Sequence, residues 1–272
     1  MIPSPKTKLV KKLLHIYNKQ IGKKETLCSL LKNDKTKRTW AKAASIEYGR
    51  LMKGNNSGTA GTDTIEPVLK QDIPSINSIM YGSVVCDHRP LKPEPNRCRL
   101  FVGGDKLTYD NETAAPAANL LETKIMLDSV ISITNANFFT IDIKDFFLSS
   151  SMLQPEFIQM HIDDIPSDII SKYDLPTFVD SSNHVNFKMK KTMYGLKQAA
   201  MFAYKQMKKN LAPHGYYPIP NIVGLWKYAT QPIHFCLYVD NFGIKFQNKE
   251  DADHLVNTLR KFYQIAIDWS VQ

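Results

Sequence analysis

Near the end of the chain, Phe235 to Phe246 reads Phe-Cys-Leu-Tyr-Val-Asp-Asn-Phe-Gly-Ile-Lys-Phe: an apolar run, one acid with a neutral amide beside it, then a second alternating apolar run. This order predicts a hairpin of two strands that holds Asp240 at its tip. Similar strand patterns occur at Tyr81–Cys86, Arg99–Val102, Phe138–Ile143, Phe157–Ile162, Val185–Met189 and Gln264–Ile267, with a turn at Gly103-Gly104-Asp105. Helical spacing is read at 6–24, where seven lysines interleave with Leu9, Val10, Leu13, Leu14, Ile16 and Tyr17. Further helices are expected at Trp40–Met52, at Asn119–Ile131 with Leu120, Leu127, Val130 and Ile131 on one side, and briefly after Pro166. Two more are expected at about Lys197–Leu211 and Lys249–Phe262. The glycine-rich stretch Lys53–Thr62 reads as a flexible loop and as the best boundary, dividing a helical extension, 1–62, from a mixed α and β body, 63–272.

With 43% hydrophobic residues in 272, the chain can bury a substantial core. Its longest apolar runs are too short to cross a bilayer and its start lacks the apolar core of a signal peptide, so a soluble, intracellular chain with no membrane partner is expected. The net charge of +9 favours a polyanionic partner without identifying one. Cys28, Cys86, Cys98 and Cys236 lack CxxC or zinc-ligand spacing and read as reduced, packed thiols.

Three segments carry candidate chemistry. In Phe138-Phe-Thr-Ile-Asp-Ile-Lys-Asp-Phe-Phe147, Asp142 lies among isoleucines, where a carboxylate must be paired, cap a turn or bind a cation. Asp240 ends a second strand about a hundred residues later, and two such carboxylates side by side suit a pair of Mg²⁺ ions. In Lys190-Lys-Thr-Met-Tyr-Gly-Leu-Lys-Gln-Ala199, Gly195 stands at a strand-to-helix junction where the backbone can approach a ligand, although most such glycines are simply turns.

Taken together and in this order, the three segments resemble the reverse transcriptase of copia-like long-terminal-repeat retrotransposons, from about Trp40 to the end of the sequence. The Asp142 strand resembles that family's first catalytic motif. Met193-Tyr-Gly-Leu-Lys-Gln-Ala199 is similar to its template- and nucleotide-positioning motif and is the most specific part, and Tyr238-Val-Asp-Asn241 is similar to its Tyr-X-Asp-Asp hairpin.

The resemblance implies an α+β right-hand polymerase fold: fingers and palm, an antiparallel palm sheet packed on helices, a palm core at about 136–147 and 193–272, and a thumb largely missing. It implies an RNA-directed DNA polymerase that adds deoxynucleotides to a primer 3′-hydroxyl, with Asp142 and Asp240 holding two Mg²⁺ ions, or Mn²⁺ in their place. Phe147 would exclude a 2′-hydroxyl, with ordinary core packing as its plain alternative. Arg99 would contact the incoming triphosphate, Lys92 or Arg97 would add a second phosphate contact, and Tyr194, Gly195 and Gln198 would line the nucleotide and template side. The implied partners are an RNA or DNA template with primer, deoxynucleoside triphosphates, and a second copy or other polyprotein products. The implied location is the cytoplasm in a virus-like particle, or the nucleus.

The chain departs from the family at Asn241, where a third carboxylate is expected. An amide keeps one carbonyl acceptor but removes a negative charge, so weaker metal binding and a rate lower by about two to three orders of magnitude are expected. Asp145 is a poor substitute, since the better-placed neighbour of Asp142 is Lys144. The sequence also stops where the family continues, as a polyprotein fragment or decayed copy would. The alternative is a non-catalytic remnant that keeps the fold and binds nucleic acid. An unrelated two-carboxylate nuclease is disfavoured because no His or Glu cluster accompanies the aspartates.

Overall fold

A computed structural model describes residues 16–18, 23–106, 109 and 111–269. The elements run β1 Ile16–Asn18, β2 Lys23–Glu25, α1 Leu27–Lys32, α2 Lys37–Leu51, β3 Ile65–Val68, β4 Ile79–His88, β5 Asn96–Val102, α3 Leu120–Ser132, β6 Asn137–Ile143 and β7 Ser151–His161. They continue α4 Ser167–Lys172, β8 His184–Lys191, α5 Ala199–Leu211, β9 Tyr216–Pro218, β10 Leu225–Tyr228, β11 His234–Tyr238, β12 Asn241–Phe246, α6 Lys249–Arg260 and β13 Ile265–Asp268. The chain is mixed α and β, with sheets that are antiparallel except where β4 runs parallel to β7. No helix among the described residues is long and apolar enough to cross a membrane.

Most of the helix expected over 6–24 lies outside the described residues. Where the backbone is described, β1 and β2 pair as antiparallel strands instead. Ile16 and Tyr17 are β-formers, which suits a short strand.

Contact density divides the chain into two units, Met1–Tyr109 with Ser151–Lys197, and Asp110–Ser150 with Gln198–Gln272. The first unit holds a five-stranded sheet in the order β3-β8-β7-β4-β5, with α2 against β5. Glu47 on α2 is buried, accepts from the Arg50 guanidinium at 2.6 Å, and takes the backbone N–H of Leu100 at 3.0 Å, which ties helix to strand. The stretch after α2 is ordered rather than a flexible boundary. Thr62, Asp63 and Thr64 donate backbone N–H groups to Arg50, Met52 and Leu51 at 2.7 to 2.9 Å, and buried Asn55 donates its side-chain amide to Ser45. Its glycines therefore serve a tight return of the chain on α2.

In the second unit the sheet order is β13-β6-β12-β11-β10-β9. The order of β6, α5, β11, β12, α6 and β13 along the chain, with β13, β6, β12 and β11 adjacent in the sheet, is the split β-α-β-β-α-β arrangement, interrupted between β6 and α5 by residues of the first unit. Alternation decides which side chains enter the core. Phe139, Ile141 and Ile143 of β6, Phe242, Ile244 and Phe246 of β12, and Phe235 and Leu237 of β11 meet Ala203, Met207 and Leu211 of α5 and Ala252, Leu255, Val256 and Leu259 of α6. The helix residues recur at three and four positions, one stripe per helix. Each fully buried Phe or Ile contributes about 1.5–3 kcal/mol.

The opposite face is partly covered by α3, whose Met126 packs with Cys236, Ala118, Phe138 and Leu225. Close approach there needs Gly243, since a Cβ at that position would lie 2.9 Å from the Cys236 sulfur and 3.0 Å from Phe138. The apolar side expected for α3 is not the buried one: Leu120 is 68% and Ile131 85% exposed, and Met126 is the buried residue of the helix.

Candidate active site

The hairpin expected at Phe235–Phe246 forms, as β11 and β12. Tyr238 closes on Asn241, leaving Val239 and Asp240 as a two-residue turn. Val239 has φ +59, and Asp240 is not among the residues of positive φ. Positive φ at the first turn position alone is the signature of a II′ hairpin turn, where glycine is the usual occupant. A β-branched residue there costs about 1–3 kcal/mol, and such strain clusters at functional sites.

The strained turn is fastened to the end of β6. The Asp240 carbonyl accepts from the Ile143 N–H at 2.9 Å, and Asn241 is the direct cross-strand partner of Asp142. Asp142, Asp240 and Asn241 are therefore brought together at one end of the sheet. Directly opposed residues place their Cβ atoms about 4.5–5.5 Å apart. The Asn241 amide donates from Nδ2 to Asp240 Oδ1 at 2.8 Å.

The pleat removes the need, expected for a carboxylate among isoleucines, for Asp142 to be paired, cap a turn or bind a cation. Ile141 and Ile143 point into the core, while Asp142 points to the other face and is exposed, so its charge stays hydrated without a cation. Asp145 has left the strand: at φ +56 it starts a tight turn, and its carbonyl accepts from Leu148 N–H. Phe147, in that turn, is half-buried against the core and tilted on Phe146.

Two carboxylates and one amide converge, and no group of three or more His, Cys, Asp and Glu among the described residues could hold a metal ion. Two aspartate oxygens suit a hard divalent cation whose remaining positions are filled by water and substrate phosphates. The set fits Mg²⁺ in that dependent sense and not as a site complete without substrate.

The remaining candidates lie in the first unit, apart from Gln198. The Arg99 guanidinium lies 4.4 Å above the centre of the Tyr194 ring, a cation–π contact. The Tyr194 carbonyl accepts from Val102 N–H at 2.8 Å, and Gly195, at φ +99, would place a Cβ 2.1 Å from the Val102 carbonyl. The glycine is thus required by the backbone of β5, whatever ligand comes near. Lys92 is exposed in the β4–β5 connection, and Arg97 opposes Asp87 across that hairpin. Gln198 is 2% exposed, with its side-chain Oε1 lacking a hydrogen-bond partner.

Sequence reading missed two features of the second unit. One is the short pair β9 and β10. The other is a cleft of about 450 Å³ lined by Lys144, Arg260, Tyr263, Gln264, Ile265 and Ala266. Lys144 beside Asp142 was its only sequence signal. No protein-family model matches this chain, and no curated protein matches it.

Proposed function

We propose that the second unit is the palm of a polymerase related to the copia-like reverse transcriptases, which extends a primer by deoxynucleotides on an RNA or DNA template. The observation that carries this reading is the register of β6 with β12. It sets Asp142, Asp240 and Asn241 side by side at one end of a split β-α-β-β-α-β sheet, with a strained turn holding them.

In this reaction the primer O3′ bonds to the α-phosphorus of the nucleotide, the bond from that phosphorus to the bridging oxygen breaks, and pyrophosphate leaves while the hydroxyl proton passes to solvent. Bound Mg²⁺ would lower the hydroxyl pKa and neutralise phosphate charge. Asp142 and Asp240 would hold it. The chain's own contribution is position: Asp142 is fixed by two neighbours, Asn241 on β12 and Ala266 on β13, and Asp240 by its backbone bond to Ile143. Asn241 contributes orientation through its bond to Asp240 but no charge. Phe147 would crowd the sugar at C2′. The assignments of Arg99, Lys92, Tyr194, Gly195 and Gln198 to nucleotide binding rest on the resemblance alone and form a separate proposal.

A second reading is kept because of one observation. The Asn241 amide occupies an oxygen of Asp240 that a metal would use, as expected of a remnant that binds nucleic acid without catalysis. Primer extension on poly(rA) with Mg²⁺ or Mn²⁺ separates the two. Incorporation that Asp142→Ala abolishes supports the polymerase, whereas template binding without extension by any variant supports the remnant.

A further inference from the structure

Lys144 stands one residue beyond the end of β6, and its backbone N–H donates to the Gln264 carbonyl at 2.9 Å. Arg260 is the last residue of α6. Both residues line the cleft of about 450 Å³, within the roughly 300–1,000 Å³ typical of ligand sites. Both residues are exposed, and neither has a carboxylate partner among the described residues. Two cations without counter-ions in one concavity create a positive potential that favours an anion.

The other walls are compatible with this. Tyr263 is buried and accepts from the Asn210 amide at 3.1 Å, and burial pushes its phenol up to about 12, so it adds no negative charge at neutral pH. Gln264 is exposed and supplies an amide, while Ile265 and Ala266 are apolar. Ala266 is the cross-strand partner of Asp142, so the cleft adjoins the carboxylate end of the sheet. Against the anion stand Asp142, Asp268 and the carbonyl end of α6, and two full positive charges are what such a location needs to accept one. The Arg fork suits two oxygens of one phosphate, and Lys adds a point charge.

We propose that the Lys144–Arg260 cleft binds a phosphate oxyanion, and that its occupant is a backbone phosphate of the nucleic-acid strand passing Asp142, with a free polyphosphate as the other source of the same chemistry. The choice of a strand rests on the polymerase reading; the anion site does not.

The test uses the full chain without divalent metal. Binding of labelled single-stranded DNA is followed by anisotropy from low to moderate salt, and binding of tripolyphosphate by calorimetry. The variant Lys144→Gln/Arg260→Gln is compared with Lys208→Gln/Lys209→Gln, which removes the same charge from exposed positions on α5. Loss of the cleft cations weakens DNA binding about tenfold more than the control and flattens the log–log salt slope by about 0.7, one single-strand phosphate contact. Lys144→Arg/Arg260→Lys retains binding. A loss confined to DNA assigns the cleft to the strand, and a loss with tripolyphosphate alone assigns the oxyanion to a free source and removes the strand. Equal effects of the cleft and control variants on both ligands overturn the proposal. No extension is read, so this outcome is independent of whether the chain polymerises.

Discussion

Ile141 and Asp142 are adjacent on β6, yet they answer to different constraints. Ile141 faces the helices α5 and α6 in a packed interior, where volume decides what is tolerated. Asp142 faces the other way, into water, where no packing or desolvation requirement explains it. The same division runs through β12, with Phe242 inward and Asn241 outward. These strands therefore keep their core residues and the proposed site residues on separate faces, and each can be tested without disturbing the other.

The largest effect expected is on activity. Asp142→Ala lowers primer extension at least about 10³-fold, equivalent to roughly 4 kcal/mol, while thermal unfolding shifts by no more than about 0.5 kcal/mol. Ile141→Ala, one residue away, costs about 2–5 kcal/mol of stability in denaturant melts. If the two variants gave the same stability loss, the assignment of faces would be wrong.

Smaller effects sharpen the contrast within the outward face. Replacing Val239 by glycine relieves the positive φ at the hairpin tip and stabilises the chain by about 1 kcal/mol in chemical unfolding. No gain would mean that the turn is not strained.

The smallest effect concerns Lys245, on the same face as Asp142 but under α3, 8% exposed and donating to Ser129 Oγ at 2.9 Å. Burial holds its ammonium below the ordinary lysine value. Between the folded and the unfolded pKa the unfolded chain binds more protons, so stability rises with pH across that window. Lys245→Met therefore stabilises by up to about 1 kcal/mol near pH 7, and the gain fades as pH rises towards about 10. A gain independent of pH would assign the effect to packing alone.

The inward face was the more legible in the sequence. The apolar patterns of Phe138–Ile143 and Phe235–Phe246 predict strands that the structure holds, and the helices expected at about Lys197–Leu211 and Lys249–Phe262 match α5 and α6 to within two residues at each end. Asp142 and Asp240 stand out in the sequence by residue type, but the exposure of Asp142 does not, because a run of apolar letters does not reveal which face each occupies. The buried side of α3 was misread for a related reason: four aliphatic positions on one side outweighed Met126, yet the neighbouring sheet has room, at Gly243, only where Met126 arrives. β9 and β10 escaped because three or four residues carry too little periodicity to count. The need for Gly195 was visible as a junction, but its cause, the carbonyl of Val102 from β5, is a long-range contact that local sequence cannot show.

Asn241 joins the two sides of the comparison, being outward, well placed and uncharged. The most direct measurement is primer extension by Asn241→Asp, with and without Asp142→Ala, on one poly(rA) template. Extension should rise about 10²–10³-fold over the unaltered chain, the worth of about 3–4 kcal/mol of restored ligation, and vanish again when Asp142 is removed. If Asn241→Asp binds template, remains folded and extends nothing, the hairpin is not a catalytic site and the polymerase reading falls.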